Sequence, residues 1–422
     1  MFLGIDFGTS GVRASIINSE KKEIYNSQVP IPIALEKNNI ISQDPTIWWE
    51  AFIKLCNNLK ENFDINKISK ISINGTSGTV LLSDNEGIPL SYAIMYNDTS
   101  AIDESKLVEK VSDNHPIVSS SSNALVRALK IIKDKETGIK SYKILHQADW
   151  IAGKIINEFY YSDDNNSLKL GYDCLNKKWP DWFSNLPIDI AALPKILTPG
   201  TALNVLQNSE LLNLGFSNKA EVIAGTTDSI AAFLATGANE IGQAVTSIGS
   251  SLVVKYISEK PIFNKEYGIY SHKLGDKWLA GGASNVGGNI LKHLFKDKIN
   301  LLSESLNPSN LTGLNYYPLM KSGERFPYND PNKKAILEPR PESEIVFFQA
   351  VLEGISNVEK LCYERLKEIG GGYPREIFTV GGGANNINWN KIRSKILNIK
   401  LANPLSTQAS FGSALIAGGF IN

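Results

Sequence analysis

The turn Asp6-Phe7-Gly8-Thr9-Ser10-Gly11 joins two short apolar runs, residues 2–6 and 12–17. The same arrangement returns in the second half, where residues 244–247 and 252–257 flank Ile248-Gly249-Ser250-Ser251. Glycine admits the positive φ that a tight hairpin needs, so each unit reads as strand, turn and strand. A hairpin that opens each half is a weak internal repeat, and it predicts two related lobes rather than one continuous sheet.

Helices and further strands alternate around these hairpins, which places the chain in the α/β class. Residues 68–73 read as a third strand. Trp49, Phe52, Ile53, Cys56 and Leu59 recur at helical spacing over 46–63, and 124–133 shows the same amphipathic pattern. A short strand over 221–224 enters Gly225-Thr226-Thr227-Asp228, and 230–236 follows as a helix. In the second half a long helix over 344–369 is closed by Gly370-Gly371-Gly372, strand 377–380 runs into Gly381-Gly382-Gly383, and Trp389, Ile392, Ile396 and Ile399 line the next helix. The stretch 307–341 is the most loop-like. The boundary is expected near 238, giving lobes of 1–238 and 239–422.

Composition narrows the partners. Lysine plus arginine equals aspartate plus glutamate at 43 each and no basic block stands out, so nucleic acid is not an expected partner. Cys56, Cys174 and Cys362 are widely spaced, without the pairing of a zinc site or a disulfide framework. The first residues lack the basic start of a secretory leader and no apolar run is long enough to span a bilayer, so the expectation is a cytoplasmic protein with no membrane partner. His115, His146, His272 and His293 are scattered and read as surface or structural groups. Trp48, Trp49 and Trp150 read as core.

Three turns carry candidate chemistry. A triphosphate needs close backbone N–H donors with an acid nearby to organise a cation; Gly8, Thr9 and Ser10 beside Asp6 supply both, although the same residues also make an ordinary hairpin. Thr246 to Ser251 is a second phosphate loop or a plain Gly-Ser turn. Gly381 to Asn386, between strand and helix, suits a nucleotide phosphate or a close-packed adenine, and equally suits tight packing of strand on helix. Asp228 opens a helix, where aspartate is a favoured cap, and it is also the carboxylate placed to act as general base.

The ordered set Gly4-Ile5-Asp6-Phe7-Gly8-Thr9-Ser10, Ala224-Gly225-Thr226-Thr227-Asp228, Thr246 to Ser251 and Gly381-Gly382-Gly383-Ala384 resembles the FGGY carbohydrate kinases. The likeness runs from residue 2 to the small-residue stretch 408–419. Pro194-Lys195-Ile196 and Leu352-Glu353-Gly354-Ile355 are similar to parts of the family's two signatures, both incomplete here. The resemblance implies two ribonuclease-H-like lobes of the actin, hexokinase and Hsp70 type with a central cleft, ATP and Mg²⁺ as cofactors, and a small sugar as substrate. It makes Asp228 the base that accepts the sugar hydroxyl proton and Asp6 the holder of Mg²⁺, both at the edge of the sugar site. Gly8, Thr9 and Ser10 would then meet the β- and γ-phosphates, with Thr246, Gly249 and Ser250 on their other side. Gly382, Gly383, Ala384 and Asn386 would line the nucleotide pocket.

The sugar would lie among residues matching the family's Thr76-Ser77 and Asn97-Asp98 positions, each of which also reads as a polar turn. Relatives that act on xylulose or glycerol often carry a Trp-Asn-Asp-x-Arg segment or a Met-His-Gly loop, and both are missing here. Gly75-Thr76-Ser77-Gly78-Thr79, Tyr96-Asn97-Asp98 and the short length look like the compact plant and cyanobacterial branch linked to D-ribulose. D-xylulose, L-ribulose, ribitol and glycerol are the alternatives, and monomer and homodimer both stay open. An actin-like ATPase would leave the polar loops without a purpose, and a silent sugar sensor would be expected to lack Asp6 or Asp228. Sugar-dependent ATP turnover separates the three classes.

Overall fold

The computed structural model describes residues 1–112, 118, 120–121, 123–134 and 141–421. His115 lies outside the described residues. By packing, the chain forms two compact units, residues 1–235 with 408–422, and 236–407.

The first unit is built on a six-stranded sheet of β1 (Phe2–Phe7), β2 (Gly11–Ile17), β3 (Glu23–Pro30), β4 (Lys70–Gly75), β5 (Ala202–Val205) and β6 (Glu221–Thr227), in the order β5-β6-β4-β1-β2-β3. β1, β2 and β3 are antiparallel neighbours, while β1, β4 and β6 run parallel. The second unit carries β7 (Gln243–Ile248), β8 (Leu252–Ser258), β9 (Tyr270–Leu274), β10 (Lys277–Ser284), β11 (Glu376–Val380) and β12 (Lys400–Ala402), in the order β9-β10-β8-β7-β11-β12. Here β7, β8 and β10 are the antiparallel set and β7, β11 and β12 the parallel one. Set aside β5 and β9 and the two sheets have one plan, third-second-first-fourth-fifth, which is the ribonuclease-H-like arrangement. The hairpin repeat in the sequence is the first two strands of that plan.

Six helices matter for the site: α1 (Pro45–Asn62), α2 (Ala124–Asp134), α3 (Asp228–Ala235), α4 (Glu344–Glu368), α5 (Ile387–Leu397) and α6 (Ala409–Ala417). Asp44 caps α1 by accepting from Thr46 N, Pro45 occupies the first turn where no N–H is needed, and Trp48, Phe52, Leu55, Cys56 and Leu59 face the core. A second sheet of the first unit contains Val80–Ser83 and Ala93–Ile94, and α2 packs on it through Leu125, Val126 and Leu129.

From sequence, residues 408–422 are expected in the second lobe, whereas α6 packs within the first unit. Its small residues explain the placement. A Cβ on Gly412 would sit 1.8 Å from Ala231 O, and one on Gly4 would sit 2.0 Å from Ser410 O, so α6 touches β1 on one side and α3 on the other at backbone distance. Ser15 and Ser410 share a 2.8 Å hydrogen bond, and Asn74 Nδ2 donates to Ser413 Oγ at 2.6 Å. β6 also runs further than its apolar pattern suggested and reaches Thr227, with a shift in its pairing to β4 between Ile223 and Thr226.

Cys56, Cys174 and Cys362 are buried and not in disulfides. No helix among the described residues is long and apolar enough to cross a membrane.

Candidate active site

In the first unit three parallel strands end at one level. Phe7 of β1 and Thr227 of β6 both lie opposite Gly75 of β4, so the Gly8 turn, the Thr76 turn and Asp228 leave the sheet side by side. The carboxyl ends of parallel strands are the usual place for a ligand in such sheets. With one strand between them, β1 and β6 are separated by about 9–10 Å.

Asp6 is buried, its Oδ2 accepts from Arg13 Nη1 at 3.4 Å, and its Oδ1 has no protein partner among the described residues. Burial first, and then the Asp228 carboxylate, push Asp6 up to about 6 against the opposing Arg13. Asp228 is half-buried at the start of α3, where its Oδ1 accepts from Ser229 N. Thr9 and Ser10 are exposed in the turn closed by Gly8 N donating to Gly11 O.

The two polar loops behave differently from the sequence expectation. Thr76 is buried, and both its N–H and its hydroxyl donate to Gln147 Oε1, at 3.0 and 2.9 Å. Asp98 is also buried and its carboxylate is committed locally: Oδ2 accepts from Ile41 N at 2.7 Å and Oδ1 from Ser100 N and Oγ. These two side chains brace the loops rather than face outward: Asp98 accepts from backbone donors that burial would otherwise strand, and the Thr76 hydroxyl is engaged by Gln147 and Thr79. Asn97 is exposed, while the Oγ atoms of Ser77 and Thr227 are buried without a partner among the described residues. The carbonyls of both loops converge on Arg127 of α2, a residue hidden in the sequence inside an ordinary amphipathic pattern.

In the second unit β7 and β11 are parallel with Ser247 opposite Val380, so the Gly249-Ser250 turn and the Gly381–Gly383 turn also emerge together. They open onto a cavity of about 840 Å³ lined by Gly249, Ser250, Gly382, Gly383, Asn386 and Phe348 among others. Gly382 has nothing within 4 Å of the place a Cβ would occupy, and Gly249 only Ser251 O at 3.9 Å. Gly383 is different, since a Cβ there would meet Ile248 Cγ2 at 2.6 Å, so its reason is packing.

Two expected nucleotide contacts, Thr246 and Ala384, are placed otherwise, while Asn386 lines the cavity with its side chain already engaged. The Thr246 side chain is fully buried, donating to Glu359 Oε1 at 2.6 Å and sharing a 2.8 Å bond with Tyr363 Oη. It points away from the turn because residues alternate across a strand, and it joins a buried network in which Arg393 bonds Glu359, Thr379 and Asn390. Ala384 is not on the cavity wall, and its carbonyl accepts from Asn390 Nδ2 at 2.7 Å. Asn386 lines the cavity, but its side chain caps α5 through Trp389 N and donates to Ser303 Oγ at 2.9 Å. Such hydroxyl and amide roles depend on the face that a side chain takes, which the turn sequences alone do not encode.

Comparison with known proteins also divides the chain in two, but counts residues 408–419 with the second part. Residues 1–235 match the N-terminal domain and residues 244–419 the C-terminal domain of the FGGY family of carbohydrate kinases. A xylulose kinase of Staphylococcus xylosus is 23% identical over 98% of this chain and 90% of that protein. A gluconokinase of Bacillus subtilis is 22% identical over 99% of this chain and 86% of its own length. Among solved structures, a ligand-bound xylulose kinase from Lactobacillus acidophilus superposes with a TM-score of 0.85 at 16% identity, covering 100% of this chain and 89% of that one. Plasmodium falciparum glycerol kinase with ADP gives 0.86 at 18% identity, covering 99% and 89%.

Proposed function

The chain belongs to the FGGY family of carbohydrate kinases, and from that premise we propose that it transfers the γ-phosphoryl group of ATP to a hydroxyl of a ketopentose, D-ribulose, with Asp228 as general base. The observation that carries this reading is the convergence of Asp6, the Thr76-Ser77 turn and Asp228 at the aligned ends of three parallel strands. Phosphoryl transfer asks a protein for positioning and charge neutralisation rather than covalent help. On this reading the sugar hydroxyl donates its proton to the Asp228 carboxylate as its oxygen attacks the γ-phosphorus, ADP leaves from the opposite side, and the proton is later released to solvent. The exposed hydroxyls of Thr9 and Ser10, with the backbone N–H groups of their turn, bind phosphate oxygens. Gly249 and Gly382, bare at the cavity wall, let a nucleotide approach the main chain closely.

Mg²⁺ suits the carboxylate pair: the buried, unpartnered Oδ1 of Asp6 beside a second acid is a place where a divalent cation offsets two negative charges. Asp6 would hold it, directly or through water, and the ion would neutralise charge on the phosphates. The compartment proposed with this activity is the cytoplasm, where ATP is supplied.

The substrate reading rests on the Gly75–Thr79 turn and on Tyr96-Asn97-Asp98. The named xylulose kinases among the relatives make D-xylulose the second candidate. The test is Mg²⁺-dependent ADP release with D-ribulose, D-xylulose, L-ribulose, ribitol and glycerol, beside Asp228→Ala. Stimulation greatest with D-ribulose, and a loss of about 10²–10⁴-fold in kcat for Asp228→Ala with ATP still bound, is expected. Preference for D-xylulose replaces the substrate, and full activity in Asp228→Ala removes Asp228 as the base.

A further inference from the structure

Arg127 is completely buried in the first turn of α2, where its neighbours Leu125, Val126, Ala128 and Leu129 are buried and apolar. A leucine at this position would continue the helix face, so the guanidinium needs its own reason. Its bonds go to main-chain carbonyls. Nη1 donates to Gly78 O at 2.8 Å, Nε and Nη2 donate to Asp98 O at 3.3 and 2.8 Å, and Nη2 also donates to Tyr96 O. Gly78 ends the turn that holds Thr76 and Ser77, and Tyr96 to Asp98 is the segment that holds Asn97. One side chain thus spans both loops.

The loops are shaped to receive it. Gly78 has φ +92°, and a Cβ there would lie 3.1 Å from Arg127 Nη1, so the turn passes over the guanidinium where only glycine is at ease. Tyr96 N donates to Thr79 Oγ1 at 3.1 Å, a second tie between the same two segments. Tyr96 Oη in turn accepts from Thr9 Oγ1 at 3.3 Å, which connects them to the Gly8–Ser10 turn. Burying a cation is costly unless hydrogen bonds offset it, and a planar fork with five donors holds carbonyls of two segments in a fixed geometry that the compact, rotating ammonium of lysine does not impose.

We propose that Arg127 is a positioning residue for sugar recognition, fixing the distance between the Thr76–Gly78 turn and the Tyr96–Asp98 segment so that Ser77 and Asn97 meet hydroxyls of one bound sugar. This rests on the reading that these loops hold the sugar, and the test separates the two claims. Initial rates are measured with sugar and with ATP varied in turn for the wild type, Arg127→Lys, Arg127→Ala and Asn97→Ala, with thermal melting as the check on folding.

For the Arg127 variants kcat/KM for the sugar falls by about 10- to 100-fold, the order expected when a supporting contact misplaces a site, while KM for ATP stays within about two-fold. Millimolar guanidinium, well below denaturing levels, restores part of the sugar kcat/KM of Arg127→Ala and leaves the wild type unchanged. Parallel loss of sugar and ATP recognition, no rescue by guanidinium, or an Arg127→Lys protein that does not fold would each overturn the proposal, because Arg127 would then serve the fold at large. If Asn97→Ala weakens the sugar and the Arg127 variants do not, the positioning role alone fails. If none of the three alters sugar recognition, the location of the sugar site fails with it.

Discussion

Asp6→Asn is expected to make the ligand-free protein more stable while disabling it. Burial and the neighbouring Asp228 carboxylate raise Asp6 from 3.8 to about 6. The native state therefore holds a proton that the unfolded chain releases across that interval. A raised acid contributes stability that is fully present below its unfolded value and is lost as pH rises through its folded one. At 1.36 kcal/mol per pH unit, the ionised Asp6 costs the native state about 3 kcal/mol at neutral pH. Asparagine keeps the shape and removes the charge, giving up part of the gain through the weakened contact with Arg13. A net gain of about 1–3 kcal/mol corresponds to roughly 3–10 °C in the melting of a unit of this size. The assay is thermal melting without nucleotide or metal, wild type against variant, at about pH 8 and again near pH 4, where the difference should vanish because Asp6 is then protonated. A variant no more stable than wild type near pH 8, or a gap that is the same at both pH values, refutes the reasoning.

Two substitutions probe the glycines. Gly382→Val projects into the cavity from a position with nothing within 4 Å, so it should raise KM for ATP by at least about 10-fold through lost close approach, with KM for sugar and the melting temperature unchanged. Gly412→Ala places a methyl 1.8 Å from Ala231 O and must push α6 from α3, the helix that begins with Asp228. It should cost at least about 1–3 kcal/mol in melting and lower kcat more than KM for ATP, as overpacking usually does where backbones touch.

Local features were legible in the sequence because they are written locally. The Gly8–Ser10 and Gly249–Ser250 turns, α1 with its apolar spacing and the long α4 all announce themselves within a few residues, and they carry the strand plan that both units share. Features that depend on what lies across the fold are not written in this local way. Nothing within 408–422 tells that Gly412 must touch Ala231, and the small residues there only show that something comes close. Asn386 reads as a nucleotide contact, and only Ser303 and Trp389 N beside it show that its side chain caps a helix.

The same distinction explains how a three-glycine run divides its work. Gly381 has φ +85° and, like Gly383, lies against Ile248, so these two answer to the strand before the neighbouring turn, while Gly382 between them faces open space. Both explanations weighed for the run, tight packing and room for a nucleotide, are thus met by different residues within it. The outer pair presses β11 and its turn against β7, and this contact holds the bare middle residue level with Gly249 at the cavity wall. Packing glycines and open glycines are therefore not rival accounts of such a turn, since close packing on either side is what keeps the exposed backbone rigid enough to meet a ligand at a fixed distance.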